Sequence, residues 1–172
     1  MLKLDNIHKT FADNHVLRGV SLELKRSQTV VIIGPSGSGK TTLLRSINFL
    51  EHADSGRIIL GSLNIQANRA KKHEIREIRQ KTAFVFQSYN LFANKTVLEN
   101  VTTGLTVARK VPKQKAITIA EEALNRVGLS DKLNAYPATL SGGQQQRVGI
   151  ARAIAVEPER LPTMLFSWIR AK

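Results

Sequence analysis

Nine consecutive residues, Gly34-Pro35-Ser36-Gly37-Ser38-Gly39-Lys40-Thr41-Thr42, satisfy the pattern G-x-x-x-x-G-K-[ST], and their flanks constrain the fold as tightly as the pattern does. Upstream, Thr29-Val30-Val31-Ile32-Ile33 is a short β-branched run without polar alternation, which predicts a strand buried on both faces of a parallel sheet. Downstream, Leu43, Leu44, Ile47 and Leu50 recur at helical spacing, so the loop is expected to open a helix that continues through Thr42. Strand, glycine-rich loop and helix in that order make an anion cradle. Glycines let backbone amides close around phosphates, and the positive end of the helix dipole faces the charge. In such a cradle Lys40 reaches the terminal phosphates and the Thr41 hydroxyl ligates a Mg²⁺ that bridges them. The expected ligand is therefore a nucleoside triphosphate with Mg²⁺. A glycine turn that binds nothing would need neither the lysine nor the helix in register.

Composition narrows the class. A chain of 172 residues is long enough to bury one core, and its lack of cysteine excludes disulfides and thiolate metal sites. No apolar stretch of about 20 residues is available to span a bilayer, and Met1-Leu2-Lys3-Leu4-Asp5 has no apolar signal core. A cytoplasmic protein is expected. The net charge of +13 raises the question of nucleic acid. Its basic clusters, Arg69 to Lys81 and Arg109 to Lys115, contain no interleaved aromatic residues. Solvated helix faces and attraction to an anionic membrane surface explain them better, so nucleic acid is not expected as a partner.

Further along, strand-like runs cover Val16 to Leu24, Arg57 to Leu60 and Thr82 to Gln87. Thr96 and Glu99 form a capping box that opens a helix. Ile119, Ala120, Ala123, Leu124 and Val127 mark another helix, stopped by Gly128. Leu140-Ser141-Gly142-Gly143-Gln144 then leads into a helix through Val148, Ala151, Ile154 and Ala155 that ends before Pro158.

The phosphate loop alone leaves kinases, GTPases and motors open. Together with Leu140-Ser141-Gly142-Gly143-Gln144-Gln145-Gln146-Arg147 and the intervening Val85-Phe86-Gln87, however, the chain resembles the ATP-binding cassette ATPases. From Phe84 to Phe92 and from Thr96 to Val101 it resembles in particular the ATPase subunits of polar amino-acid importers. The resemblance implies an α/β fold: a parallel core sheet of phosphate-loop NTPase type, an N-terminal antiparallel β portion and an inserted α-helical subdomain. Residues 1–87 would hold the nucleotide, 88–139 form the helical subdomain and 140–158 carry the signature and its helix. Residues 159–172 would be a tail unlike the family.

Several roles follow from the resemblance. Phe11 matches the aromatic on which adenine stacks, although a core or interface phenylalanine would look the same. Gln87 matches the glutamine that reaches Mg²⁺ and the attacking water, so the metal set is Thr41 and Gln87. Ser141, Gly142, Gly143 and Gln144 would start a helix aimed at the γ-phosphate held by a second subunit, giving a head-to-tail homodimer or a pair with another cassette subunit. Integral membrane transporter subunits are the implied further partners, which places the chain at the cytoplasmic face of the membrane.

The resemblance stops near Pro158. The family continues with an apolar strand ending in Asp-Glu, then a histidine. Here Met164-Leu165-Phe166 imitates the strand, but Ser167 and Trp168 stand where the carboxylates belong, and no histidine follows His73. No catalytic residue is therefore assigned. A core sheet incomplete at its C-terminal side, with exposed apolar surface, is expected, and either a frame shift near Glu159 or a real, evolved tail would explain the change.

Overall fold

The computed structural model describes residues 1–86 and 88–156, together with the backbone of strand Met164–Ser167. These residues fall into two units, Met1–Thr82 and Ala83–Lys172.

In the first unit, β1 (Leu2–Phe11) pairs antiparallel with β2 (Asn14–Leu24) on one edge and with β3 (Ser55–Leu60) on the other; β4 (Leu63–Gln66) adds to β3. The order is β2-β1-β3-β4. Apolar residues meet across the ladder: Leu2 faces Leu24 and Leu60, and Leu4 faces Leu22 and Ile58. The alternation then breaks at Asn6, whose φ of 52° marks a bulge, so that Ile7 rather than Asn6 is buried. This break is why β1 does not read as a strand in the sequence. Helix α1 (Lys40–Ile47) lies against β2 and buries Leu43 and Ile47. It stops before Leu50, which is exposed. Helix α2 (Lys72–Lys81) occupies part of the basic stretch; Ile78 alone in it is fully buried, and Arg79 donates to the carbonyls of Asn48 and Phe49 at the end of α1.

One expectation is overturned. Residues 28–35 form no strand, and Val31 and Ile33 are 74% and 89% exposed. A run that is apolar on both faces becomes a strand only when neighbours on both edges take its N–H and C=O groups and its side chains are covered. Among the described residues no strand pairs with it. The exposed apolar surface expected of an incomplete core is thus found here. What stands is the α/β class, with its antiparallel N-terminal portion and its helical portion.

The second unit is mainly helical. Helix α3 (Val97–Thr103), prolonged by a π-helical turn over Gly104–Ala108, packs with α4 (Lys113–Arg126) and α5 (Gly142–Ala155). Val97, Val101, Leu105, Ala120, Leu124 and Val148 form the buried centre. Ala116, Ala120 and Ala151 are fully enclosed where these helices pack. Gly128, at φ 68°, ends the turn after α4 as expected. Strand β5 (Thr82–Val85) lies beside β6 (Met164–Ser167) in a two-stranded sheet.

Candidate functional site

The phosphate loop takes a closed, self-bonded form. Gly34, Pro35, Ser36, Gly37 and Ser38 make an exposed turn, with the Ser38 amide donating to the Pro35 carbonyl at 3.3 Å. Gly39 caps α1 with φ 85°; a Cβ there would sit 2.9 Å from Val16 Cγ1 and 3.0 Å from Val16 O, so only glycine lets the helix start this close to β2. Lys40 is buried and curls back over the loop. Its Nζ donates to Gly34 O at 2.7 Å, Pro35 O at 2.5 Å and Ser38 Oγ at 3.1 Å. Thr41 and Thr42 follow in the first turn, half-buried.

This local structure suits an anion. No side chain caps α1 and no acidic residue occupies its first turn, so the positive end of its dipole faces the loop. With a lysine ammonium at the loop and a threonine hydroxyl at the helix start, the donor set fits a nucleotide phosphate chain and a hard, oxygen-seeking Mg²⁺. Phe11 stands at the end of β1, paired with Asn14, two residues before the Val16 that touches Gly39. Phe11 is 44% exposed, and its ring carries the Lys9 ammonium 4.9 Å from the centroid. Phe11 and Val16, which borders the start of α1, therefore lie near the same end of the β1–β2 hairpin. The proposed second metal ligand, Gln87, lies outside the described residues.

In the second unit, Ser141 is the N-cap of α5. Its Oγ accepts from Gln144 N at 3.3 Å while Gln144 Oε1 accepts from Ser141 N at 2.8 Å. The hydroxyl, being only an acceptor in this cap, retains its own proton to donate outward. Gly142 and Gly143 are exposed in the first turn, again without an acidic neighbour in the turn.

Two residues that the sequence did not single out shape the loop between β5 and α3. Asn100 is fully buried in α3; its Oδ1 accepts from Phe92 N at 2.8 Å, and its Nδ2 donates to Phe92 O, Lys95 O and Thr96 O at 3.0–3.1 Å. Arg152 in α5 donates to Tyr89 O at 2.7 Å and Asn90 O at 2.8 Å, across a turn in which both residues have positive φ (60° and 45°). Burial pushes the Arg152 guanidinium below its ordinary range. The Thr96 and Glu99 capping box forms as predicted, with the Glu99 carboxylate accepting from Thr96 N at 2.8 Å. Neither Asn100 nor Arg152 carries a local sequence signal, since their partners are backbone groups that almost any residue would provide.

Comparisons with known proteins show which family the chain resembles. The family model for ABC transporters matches residues 17–161. The L-cystine import ATP-binding protein of Bacillus subtilis is 55% identical over 161 residues, covering 94% of this chain and 62% of the relative. The glutamine transport ATP-binding protein of the same organism is 45% identical over 167 residues, covering 96% and 66% respectively. Among solved structures, a dimeric post-hydrolysis state of an ATP-binding cassette bound to ADP and Pi superposes with a TM-score of 0.81 at 38% identity, over 92% of this chain and 71% of that one. The chain spans slightly less than two thirds of the length of such curated relatives.

Proposed function

Because the chain belongs to the ABC transporter family, we propose that it is the ATP-binding part of an amino-acid importer. It would bind ATP with Mg²⁺ at the Gly34–Thr42 loop and engage a second cassette subunit through Ser141 to Gln144. The observation that carries this reading is the pairing of an uncapped, glycine-led α1 with a lysine that folds over its own loop. In the resting loop the Lys40 ammonium is held by two carbonyls and a hydroxyl; an incoming phosphate replaces these neutral acceptors with a charged one, which makes a stronger bond. Phe11 would stack on the base. Thr41 and Gln87 would hold Mg²⁺, which when bound neutralises phosphate charge. The amino-acid import named for the two relatives is carried to this chain as the expected process, with no particular solute assigned.

The other assignments go with this reading. Residues 1–87 would form the nucleotide-holding part and 88–139 the helical part; 140–158 would carry the signature, and 159–172 would stand apart from the family. The segment from Gln87 to Val101, whose residues 89–96 are held in shape by Asn100 and Arg152, would meet the membrane subunits at the cytoplasmic face. Among the described residues no helix is long and apolar enough to cross a membrane.

We also infer that the 172-residue chain by itself turns ATP over negligibly. After Asp131 its only carboxylate side chains are Glu157 and Glu159, and no histidine follows His73. Phosphoryl transfer relies on positioned charge, and loss of one such group typically costs about 10²–10³ in rate. The binding step is tested by calorimetric titration with MgATP. Lys40→Ala should weaken binding about tenfold or more, because a charge-assisted contact is worth roughly 1.5–3 kcal/mol. Equal affinities of the parent and the variant would refute the assignment.

A further inference from the structure

The ring of Phe11 does not stand alone. Lys9 holds its ammonium 4.9 Å from the centre of that ring, and the same ammonium meets three oxygens of the segment between α1 and β3: His52 O at 2.7 Å, Glu51 Oε1 at 3.1 Å and Asp54 Oδ1 at 3.3 Å. Its side chain is only 12% exposed. An ammonium has three N–H groups, and here three acceptors surround it. Little donor capacity remains for a ligand; the ring receives the field of the charge. The acceptor segment is in turn fixed to β1, because Asp54 Oδ2 accepts from Thr10 N at 2.6 Å and Asp54 N donates to His8 O at 2.8 Å. Burial alone would depress the Lys9 ammonium, but its hydrogen bonds to Glu51 and Asp54 outweigh that, so its affinity for the proton is raised.

We propose that Lys9 is a positioning residue for nucleobase binding: clamped by Glu51, Asp54 and the His52 carbonyl, its charge backs one face of the Phe11 ring and leaves the opposite face for the base. This rests on the reading of Phe11 as the stacking residue. A cation over an aromatic ring is attracted to its electron-rich face, and the clamp turns that attraction into a fixed ring orientation. Without Lys9, the Glu51 and Asp54 carboxylates lose their counter-charge and the ring loses the cation that orients it. The clamp has a second consequence. Residues 51–54 follow the end of α1, whose other end is the phosphate loop, so Lys9 ties the position of the base-stacking ring to the helix that holds the phosphates.

The experiment is a calorimetric titration of the full chain and its variants with MgATP and, separately, with magnesium tripolyphosphate, which has phosphates but no base. Lys9→Met keeps the aliphatic stem and removes the charge; it should weaken MgATP about two- to fivefold and leave tripolyphosphate unchanged. Lys9→Arg should restore ATP affinity. In a Phe11→Ala background, Lys9→Met should have no further effect. If Phe11→Ala weakens ATP binding but Lys9→Met does not, the inference is overturned while the stacking role stands. If Lys9→Met weakens ATP and tripolyphosphate equally, Lys9 is a structural ion pair only and the inference is again overturned. If Phe11→Ala leaves ATP affinity intact, the stacking role itself fails, and the inference with it.

Discussion

Asn100 offers a sharp test of how the loop before α3 is built, because the substitution closest to it in shape, Asp, should be worse than the truncation to Ala. The side chain is fully enclosed, accepts one hydrogen bond and donates to three carbonyls, all within residues 92–96. With two N–H groups serving three carbonyls, at least one is shared. Asn100→Ala removes one accepted and two donated bonds at about 1 kcal/mol each, so a loss of roughly 3 kcal/mol is expected. Asn100→Asp keeps the acceptor for Phe92 N but sets a second carboxylate oxygen against the carbonyls of Phe92, Lys95 and Thr96. An unpaired buried charge costs more than a missing amide, so Asp should be worse than Ala at neutral pH despite its closer shape. The buried Asp also favours its protonated form, which raises its folded-state pKa above the unfolded value of about 3.9. Its penalty should therefore shrink as pH falls towards that unfolded value and grow as pH rises above it. Urea denaturation of parent, Asn100→Ala and Asn100→Asp at pH 5 and pH 8, with amide exchange read at residues 92–97, measures this. An Asp variant as stable as the parent at pH 8, or an Asp penalty that does not depend on pH, would refute the account of this loop.

Three further outcomes are expected. Gly39→Ala should destabilise the first unit by about 2–4 kcal/mol, combining the left-handed backbone cost with overpacking against Val16, whereas Gly37→Ala, with φ 80° but nothing within 4 Å of a new Cβ, should cost only about 1–2 kcal/mol; thermal melts decide, and equal losses would contradict the close approach of α1 to β2. Ser141→Ala should cost about 1 kcal/mol through the lost cap of α5 and should also weaken any nucleotide-dependent dimer, and Ser141→Thr should restore the cap; sedimentation with and without MgATP checks both, and an Ala variant that dimerises like the parent would count against the role of Ser141. The Lys9 clamp should hold across the middle of the pH range: Asp54 is depressed, chiefly by its bond from Thr10 N, so its contribution is lost only as pH falls below its ordinary value of 3.8, and raised Lys9 loses its contribution only above its ordinary value of 10.5. ATP affinity that fell between pH 6 and pH 9 in step with a change at Phe11 would contradict this.

The features legible in the sequence were those whose partners lie a few residues away. The capping box of Thr96 with Glu99 formed where its spacing placed it, and Gly128 took the positive φ expected of a helix stop. Helices α4 and α5 followed their apolar stripes. What failed depended on distant neighbours. The run from Thr29 to Ile33 has the composition of a buried strand, but composition cannot supply the strands that must flank it. Strand β1 was hidden by the bulge at Asn6, which shifts the apolar phase between Leu4 and Ile7. Helix α2 was masked by the charges around its single fully buried residue, Ile78. The Lys9 clamp joins residues more than 40 positions apart, and Arg152 reaches back over 60 to Tyr89 and Asn90. In each case the chemistry was present in the residue and the geometry came from the fold.

The central claim, that this chain holds ATP in its phosphate loop without consuming it, is tested most directly with ATP labelled at the γ-phosphate. The chain is incubated with labelled MgATP, freed of unbound nucleotide by gel filtration, and the retained label is separated into ATP and phosphate. The account predicts label retained as intact ATP, lost on Lys40→Ala, with no phosphate released above the level of that variant. Release of phosphate by the parent chain that disappears in Lys40→Ala would contradict it, as would the absence of any Lys40-dependent retention.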